Sequence, residues 1–445
     1  MRSLFALCVL APGIAGSDGG GLDGAVPDAA IAPDADALSD AGSSIDASVT
    51  VAPTPVVWDP AQRSVRVLRN GEAVRTQPRA DAPRRGSLAA GARFAVLEAV
   101  SAPGCRNAWV RIATEAWVCS DVLAASALEP AATEQPELPP NAGGLPFRYA
   151  RPRQDDTLLW RSLSDVGDLR RGVALRRDNT LAVREVLTGR SPRIAVISDG
   201  RVLYERDLVW IAPATTPSGH FYRAGATVDS VVFCSRATRA WPTAALALTG
   251  TSRDGPREIA ARRVFVVRDE RSIGGTLVWF TDRGWVRSGP CARPTRADPP
   301  ANLQRDERWL DVDRRTQIAV AYEGTTPRWA ALVSTGRAGH ATTQGTFRLR
   351  SKHAWDDMSN VGSGASFAEL YFVAAVPWVQ YFHGGQALHG AFWHDEFGTA
   401  RSHGCVNLAP ADARWLFGWA PPLLPPGFTQ IQATRADPGM IVRVR

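Results

Sequence analysis

Six of the seven histidines fall between His340 and His403, and His403 stands two residues before Cys405. From Ala387 to Leu408 the chain reads A-L-H-G-A-F-W-H-D-E-F-G-T-A-R-S-H-G-C-V-N-L. Crowding of the rarer reactive side chains places a candidate active site in the last third. A free thiol, with a pKa of about 8.5, is mostly protonated at neutral pH, and the thiolate is the nucleophile. Cys405 therefore needs a base. His389, sixteen residues earlier on a short apolar segment that reads as a strand, can be folded back to it. Gly390 and Gly404 would leave room for a substrate backbone. Main-chain N–H groups at Gly404 and Cys405 could hold a developing oxyanion, a large share of catalysis in acyl transfer.

Other readings of the same residues stay open at this point. A lone cysteine is more often a small buried hydrophobe. Some of His383, His389, His394, His403 and Cys405 could bind zinc, but neither C-x-x-C nor H-E-x-x-H spacing is present, so no metal is expected. A papain-like order would put the cysteine before its histidine, and here it follows.

The elements around Cys405 are readable. Pro410 suits the first turn of a helix, and Leu408, Ala411, Trp415, Leu416 and Trp419 make an apolar face that ends at Pro421. Cys405 thus falls on a loop or strand end just before a helix, where reactive groups are commonly exposed.

S-H-G-C-V-N at Ser402–Asn407, preceded by L-H-G at Leu388–Gly390, resembles the signature of the L,D-transpeptidases, which remodel bacterial peptidoglycan. Leu310–Tyr322 resembles the family's opening strands. Ser334–Gly336 and Thr342–Phe347 match a hairpin with Thr343 where the family commonly has proline, and Pro377–Gly384 resembles the strand leading to the first catalytic histidine. The resemblance implies that Cys405 is the nucleophile and His389 its base. It also implies that His403 and Ser402 shape the site and orient the imidazole, and that Gly404 serves the oxyanion pocket. Asn407 stands where other members have arginine. The implied reaction is acyl transfer through a thioester on peptidoglycan stem peptides, with release of D-alanine, formation of cross-links and no cofactor. Hydrolysis as an L,D-carboxypeptidase, a general cysteine peptidase, and an inactive wall-binding scaffold are the alternatives.

The rest of the chain must present that domain. Residues 1–16 resemble an export signal, and 17–55 read as a disordered acidic tether, with seven aspartates and no basic residue before position 51. Cys8 lies in the apolar part of the signal and fits a lipid-attachment site poorly. The formal charge of +7 averages over that tether, and the remainder stands at about +14. Only one of the 51 basic residues is lysine, Lys352, which reflects coding bias rather than nucleic-acid binding. Residues 56–125 resemble a bacterial Src-homology-3-like barrel, 126–146 a linker, 147–303 a β-rich region, and 304–445 the catalytic domain. The fold class expected is mainly β, exported to the periplasm or cell envelope, with no transmembrane span and no nucleic-acid partner. With Cys8 in the signal and Cys405 kept free, four cysteines remain for disulfides, which export permits. Cys105 and Cys119 flank an expected hairpin and are expected to pair, as are Cys234 and Cys291 in the middle region.

Overall fold

The computed structural model describes residues 53–59, 61–131, 144–212, 219–250, 255–359 and 372–445. The expected export signal, and the tether up to residue 52, lie outside the described residues.

The C-terminal third is built on a sheet with both faces covered. Arg308–Asp313 pairs antiparallel with Ile318–Glu323, which pairs antiparallel with Thr326–Ser334. Ile441–Val444 runs parallel to the first of these, and Gly345–Arg348 closes on it. Side chains alternate across a strand. Leu310, Val312, Ala319, Ala321, Trp329 and Ala331 therefore enter one core, and Trp309, Ile318, Val320, Tyr322 and Ala330 enter another. Burial on two faces explains why these strands are almost continuously apolar.

A second group of strands carries the candidate site. Ser351–Ser359 pairs with Phe372–His383, and Phe372–His383 with Gln386–Gly390. Gln386–Gly390 runs parallel to Val406–Leu408, which joins Thr326–Ser334 through Val333↔Leu408 and Ser334↔Asn407. The short helix α1 (Ala244–Thr249) belongs to the middle region; helix α2 (Pro410–Trp419) follows Val406–Leu408 with Pro410 at its start. Ala413, Leu416 and Phe417 of α2 are buried against the first core. At about 2 kcal/mol for each large apolar side chain, this packing offsets the cost of nucleating so short a helix. At the other end, Lys352 Nζ donates to the carbonyls of Phe417 (2.5 Å) and Ala420 (2.6 Å) and lies 4.4 Å from the Phe417 ring. The only lysine of the chain caps this helix from inside the core. Burial pushes its pKa down to about 7, opposed by the negative charge of Asp437.

The preceding regions are packed onto this domain. Residues 148–210 form a seven-stranded antiparallel sheet, and Leu145, Phe147 and Tyr149 enter the first core. Tyr149 stacks on Phe392 at 3.5 Å and donates to the Ala375 carbonyl at 2.7 Å. Val228, Val231 and Phe233 fill the second core. His220–Phe221 adds an edge strand to Thr326–Ser334 through His220↔Ala330 and Phe221↔Trp329.

Several expected boundaries shift accordingly. The tether does not extend to residue 55, because Thr54 and Pro55 pair with Ser101 and Val100. The linker is shorter at both ends: Leu123–Ser126 pairs with Ser64–Val67, Ala131 bridges Arg93, and Leu145 is buried. These ends contain apolar groups that find partners, which alanine- and proline-rich composition conceals. Phe428–Gln432 joins two regions at once, pairing with Ser351–His353 and with Arg84–Leu88. Disulfides join Cys105 to Cys119 and Cys234 to Cys291, and Cys405 is free. Among the described residues no helix is long and apolar enough to cross a membrane.

Candidate active site

Parallel pairing sets the site. Leu388 lies opposite Val406, and His389 opposite Asn407. By alternation, Leu388 and Val406 point into the core with α2, and His389 and Asn407 point to the other face. Cys405, just ahead of its strand, packs with Ala387, Val376 and Val379, a cluster that Trp393 also borders. The sulfur is half-buried, with its Sγ 3.9 Å from the Gly385 carbonyl.

The imidazole of His389 is 2% exposed, stacks with Trp393 at 5.7 Å, and its Nδ1 lies 3.4 Å from the Gly390 carbonyl. A proton on Nδ1 shared with that carbonyl leaves Nε2 as the basic nitrogen. Burial, helped by nearby His394 and opposed by the hydrogen bond to the Gly390 carbonyl, lowers the His389 pKa to about 4. Burial raises the Cys405 thiol to about 11. At neutral pH these shifts leave both groups uncharged.

Ser402 braces the turn that carries the sulfur. Its Oγ accepts from the Gly404 N–H at 3.1 Å and donates to the Cys405 carbonyl. Gly404 has φ +116°, and a Cβ there would meet the Gln386 amide at 3.1 Å. Its glycine serves the turn. Gly390 differs from expectation: a Cβ would meet Trp378, Pro377 and Ala413 at 3.1–3.4 Å, so it makes room for the protein's own core. The N–H of Gly404 is committed to Ser402, which leaves the Cys405 N–H as the main-chain donor beside the sulfur.

His403 lies on the surface, 2.9 Å from the Arg337 guanidinium and packed on His340 at 4.7 Å. The contacts that hold the His389 ring include the Gly390 carbonyl and the Trp393 ring. Asn407 is 4% exposed, and its side-chain amide meets His394 Nε2 at 3.0 Å. Its burial makes it a brace for the loop at His394–Glu396, where Glu396 N–H also donates to His394 Nδ1 at 3.2 Å. Sequence reasoning left His394 and Trp393 without a role; the H-x-x-x-W-H spacing was the signal available. Thr343 donates its N–H to Gln386 Oε1 at 3.0 Å and accepts from Gln386 Nε2 at 3.1 Å. Proline has no N–H, so it could not close this clasp. Among the described residues, the five candidate zinc ligands do not converge, and the set that does, Cys105, Cys119 and Asp121, has both sulfurs in a disulfide.

Residues 307–443 match the family model described as YkuD, an L,D-transpeptidase catalytic domain. The match runs through nearly all of the C-terminal third and contains both His389 and Cys405. The Bacillus subtilis (strain 168) protein YciB is 25% identical over 140 residues, covering 28% of this chain and 66% of its own length. An L,D-transpeptidase structure from Stackebrandtia nassauensis is 23% identical and covers 32% of this chain and 57% of its own, with a TM-score of 0.23. One from Mycobacterium smegmatis is 16% identical over 60% of this chain and 99% of its own, with a TM-score of 0.27. The chain spans just under two thirds of YciB and 57% of the Stackebrandtia protein. Within the matched segment, the H-G and S-H-G-C segments lie at the two neighbouring parallel strands and the turn described above.

Proposed function

We propose that the protein is a cysteine-dependent L,D-transpeptidase of peptidoglycan stem peptides. One observation carries the reading: within a segment that matches that family, the strand of His389 pairs in parallel with the strand that begins directly after Cys405. His389 Nε2 takes the Cys405 proton as the sulfur attacks the carbonyl between the third residue of a stem and its terminal D-alanine. The Cys405 N–H faces the oxygen as charge develops on it. The imidazolium returns its proton to the leaving D-alanine amine, and a thioester remains. A side-chain amine of a second stem, deprotonated by His389, attacks the thioester, releases the sulfur and forms the cross-link. Ser402 fixes the turn, Gly390 fixes the imidazole, and His403 lies at the rim.

The 56–125 module, read as Src-homology-3-like, and the 147–303 region are proposed to hold this domain on the wall of an exported protein. A basic body suits a polymer whose stems bear free carboxylates. The test is product analysis with purified muropeptides. Wild-type protein is expected to give D-alanine and dimeric stems, and Cys405→Ala neither. Turnover that survives Cys405→Ala would sink the proposal.

A further inference from the structure

Behind the catalytic turn is a cavity of about 480 Å3, lined in part by Arg314, Arg315, Thr335, Gly336 and Gln344. Its wall is shared with the site. Thr335 accepts from the N–H groups of Arg401 and Ser402 at 2.9 and 3.1 Å, and Gly336 bridges Ser402. The charge of this cavity is one-sided. Asp313, its acidic member, is already paired with Arg445 at 3.2 Å. Among the described residues, neither Arg314 nor Arg315 has a carboxylate within ion-pair distance. Arg314 is held in place by donating to the Thr342 carbonyl at 2.7 Å, yet its buried Nε has no partner. A guanidinium held at a cavity wall by a carbonyl, with no carboxylate partner, favours a planar, two-oxygen acceptor. Arg315 adds a second, exposed positive group at the mouth.

We infer that this cavity is a carboxylate-binding subsite for a free carboxylate of the stem peptide, read by Arg314 and Arg315. The inference rests on the transpeptidase reading for its ligand, and no bond is made or broken in it. Arg315 is the residue to change, because Arg314 also supports Thr342. Calorimetry with the full-length Cys405→Ala protein measures binding without turnover. The probes are a synthetic stem peptide with its side carboxylate free and the same peptide with that carboxylate amidated. Arg315→Gln is expected to weaken the free-acid peptide about tenfold and to leave the amidated peptide unchanged, with Arg315→Lys between. Equal affinities with and without Arg315→Gln, equal losses for both peptides, or no binding of the free acid would each overturn the subsite. The muropeptide assay on unmodified Cys405 decides the transpeptidase reading separately.

Discussion

Burial raises the Cys405 thiol to about 11 and lowers His389 to about 4, so in the mechanism proposed above proton transfer accompanies attack. The reactive form, neutral thiol with neutral imidazole, is populated between those two values. Transfer activity is expected to stay level from about pH 5 to 9 and to fall toward pH 4 as His389 takes a proton and can no longer accept one. Alkylation of Cys405 by iodoacetamide in the free protein should be slow at pH 7 and climb above about pH 9. A fast reaction with a midpoint near pH 5 would reveal a preformed thiolate–imidazolium pair and refute the neutral-pair account. The rest of the motif acts through backbone geometry: Ser402 through the turn, Gly404 through its φ, Gly390 through its carbonyl and missing side chain.

Helix α2 shows how a positioning element carries its own cost. Asp412, in its first turn, is 3% exposed and accepts from the Gly219 N–H at 2.7 Å. Burial raises its carboxyl to about 7. Because the folded pKa lies above the unfolded one, the native state binds the extra proton between about pH 4 and 7. Stability is therefore lost as pH rises through that window, and the full penalty applies above it. Asp412→Asn keeps the acceptor oxygen for Gly219 and removes the charge. Its stability relative to wild type should rise by about 2 kcal/mol from pH 5 to pH 8, read from urea midpoints. A difference that does not change with pH would show that Asp412 is ionised at little cost.

Across the whole molecule, the 231–292 region and the catalytic domain share a core. Cys234 and Cys291 close a loop with a sequence separation of 57 and stand opposite each other in paired strands. On chain-entropy grounds this crosslink contributes about 4 kcal/mol. Its neighbour Phe233 packs with Trp309, Val320 and Leu332 beneath the catalytic sheet. Replacing both cysteines by serine should lower the denaturation midpoint of the middle region and reduce transfer activity with it. Melting of the middle region with full activity retained would show that the two cores are energetically independent. The Phe428–Gln432 strand ties the N-terminal module to the same sheet, so the three parts are connected by backbone pairing as well as by linkers.

The motif Ser402–Asn407 and the histidine at 389 were legible in the chain because their chemistry depends on residue type and order. The Pro410 helix start and the cysteines available for pairing were legible for similar local reasons, a fixed φ and counting, and the strands Arg308–Asp313 and Ile318–Glu323 through the likeness of Leu310–Tyr322 to the family's opening strands. Tertiary structure decided what those residues touch. It placed Asn407 on His394, gave Gly390 to Trp378, spent the Gly404 N–H on Ser402, and put the lone lysine under α2. It also opened the arginine-lined cavity beside the catalytic turn. Each of these is a contact across tens to hundreds of residues, set by strand register and core packing. Local sequence fixes neither: a one-residue change of register turns a strand's side chains to the other face.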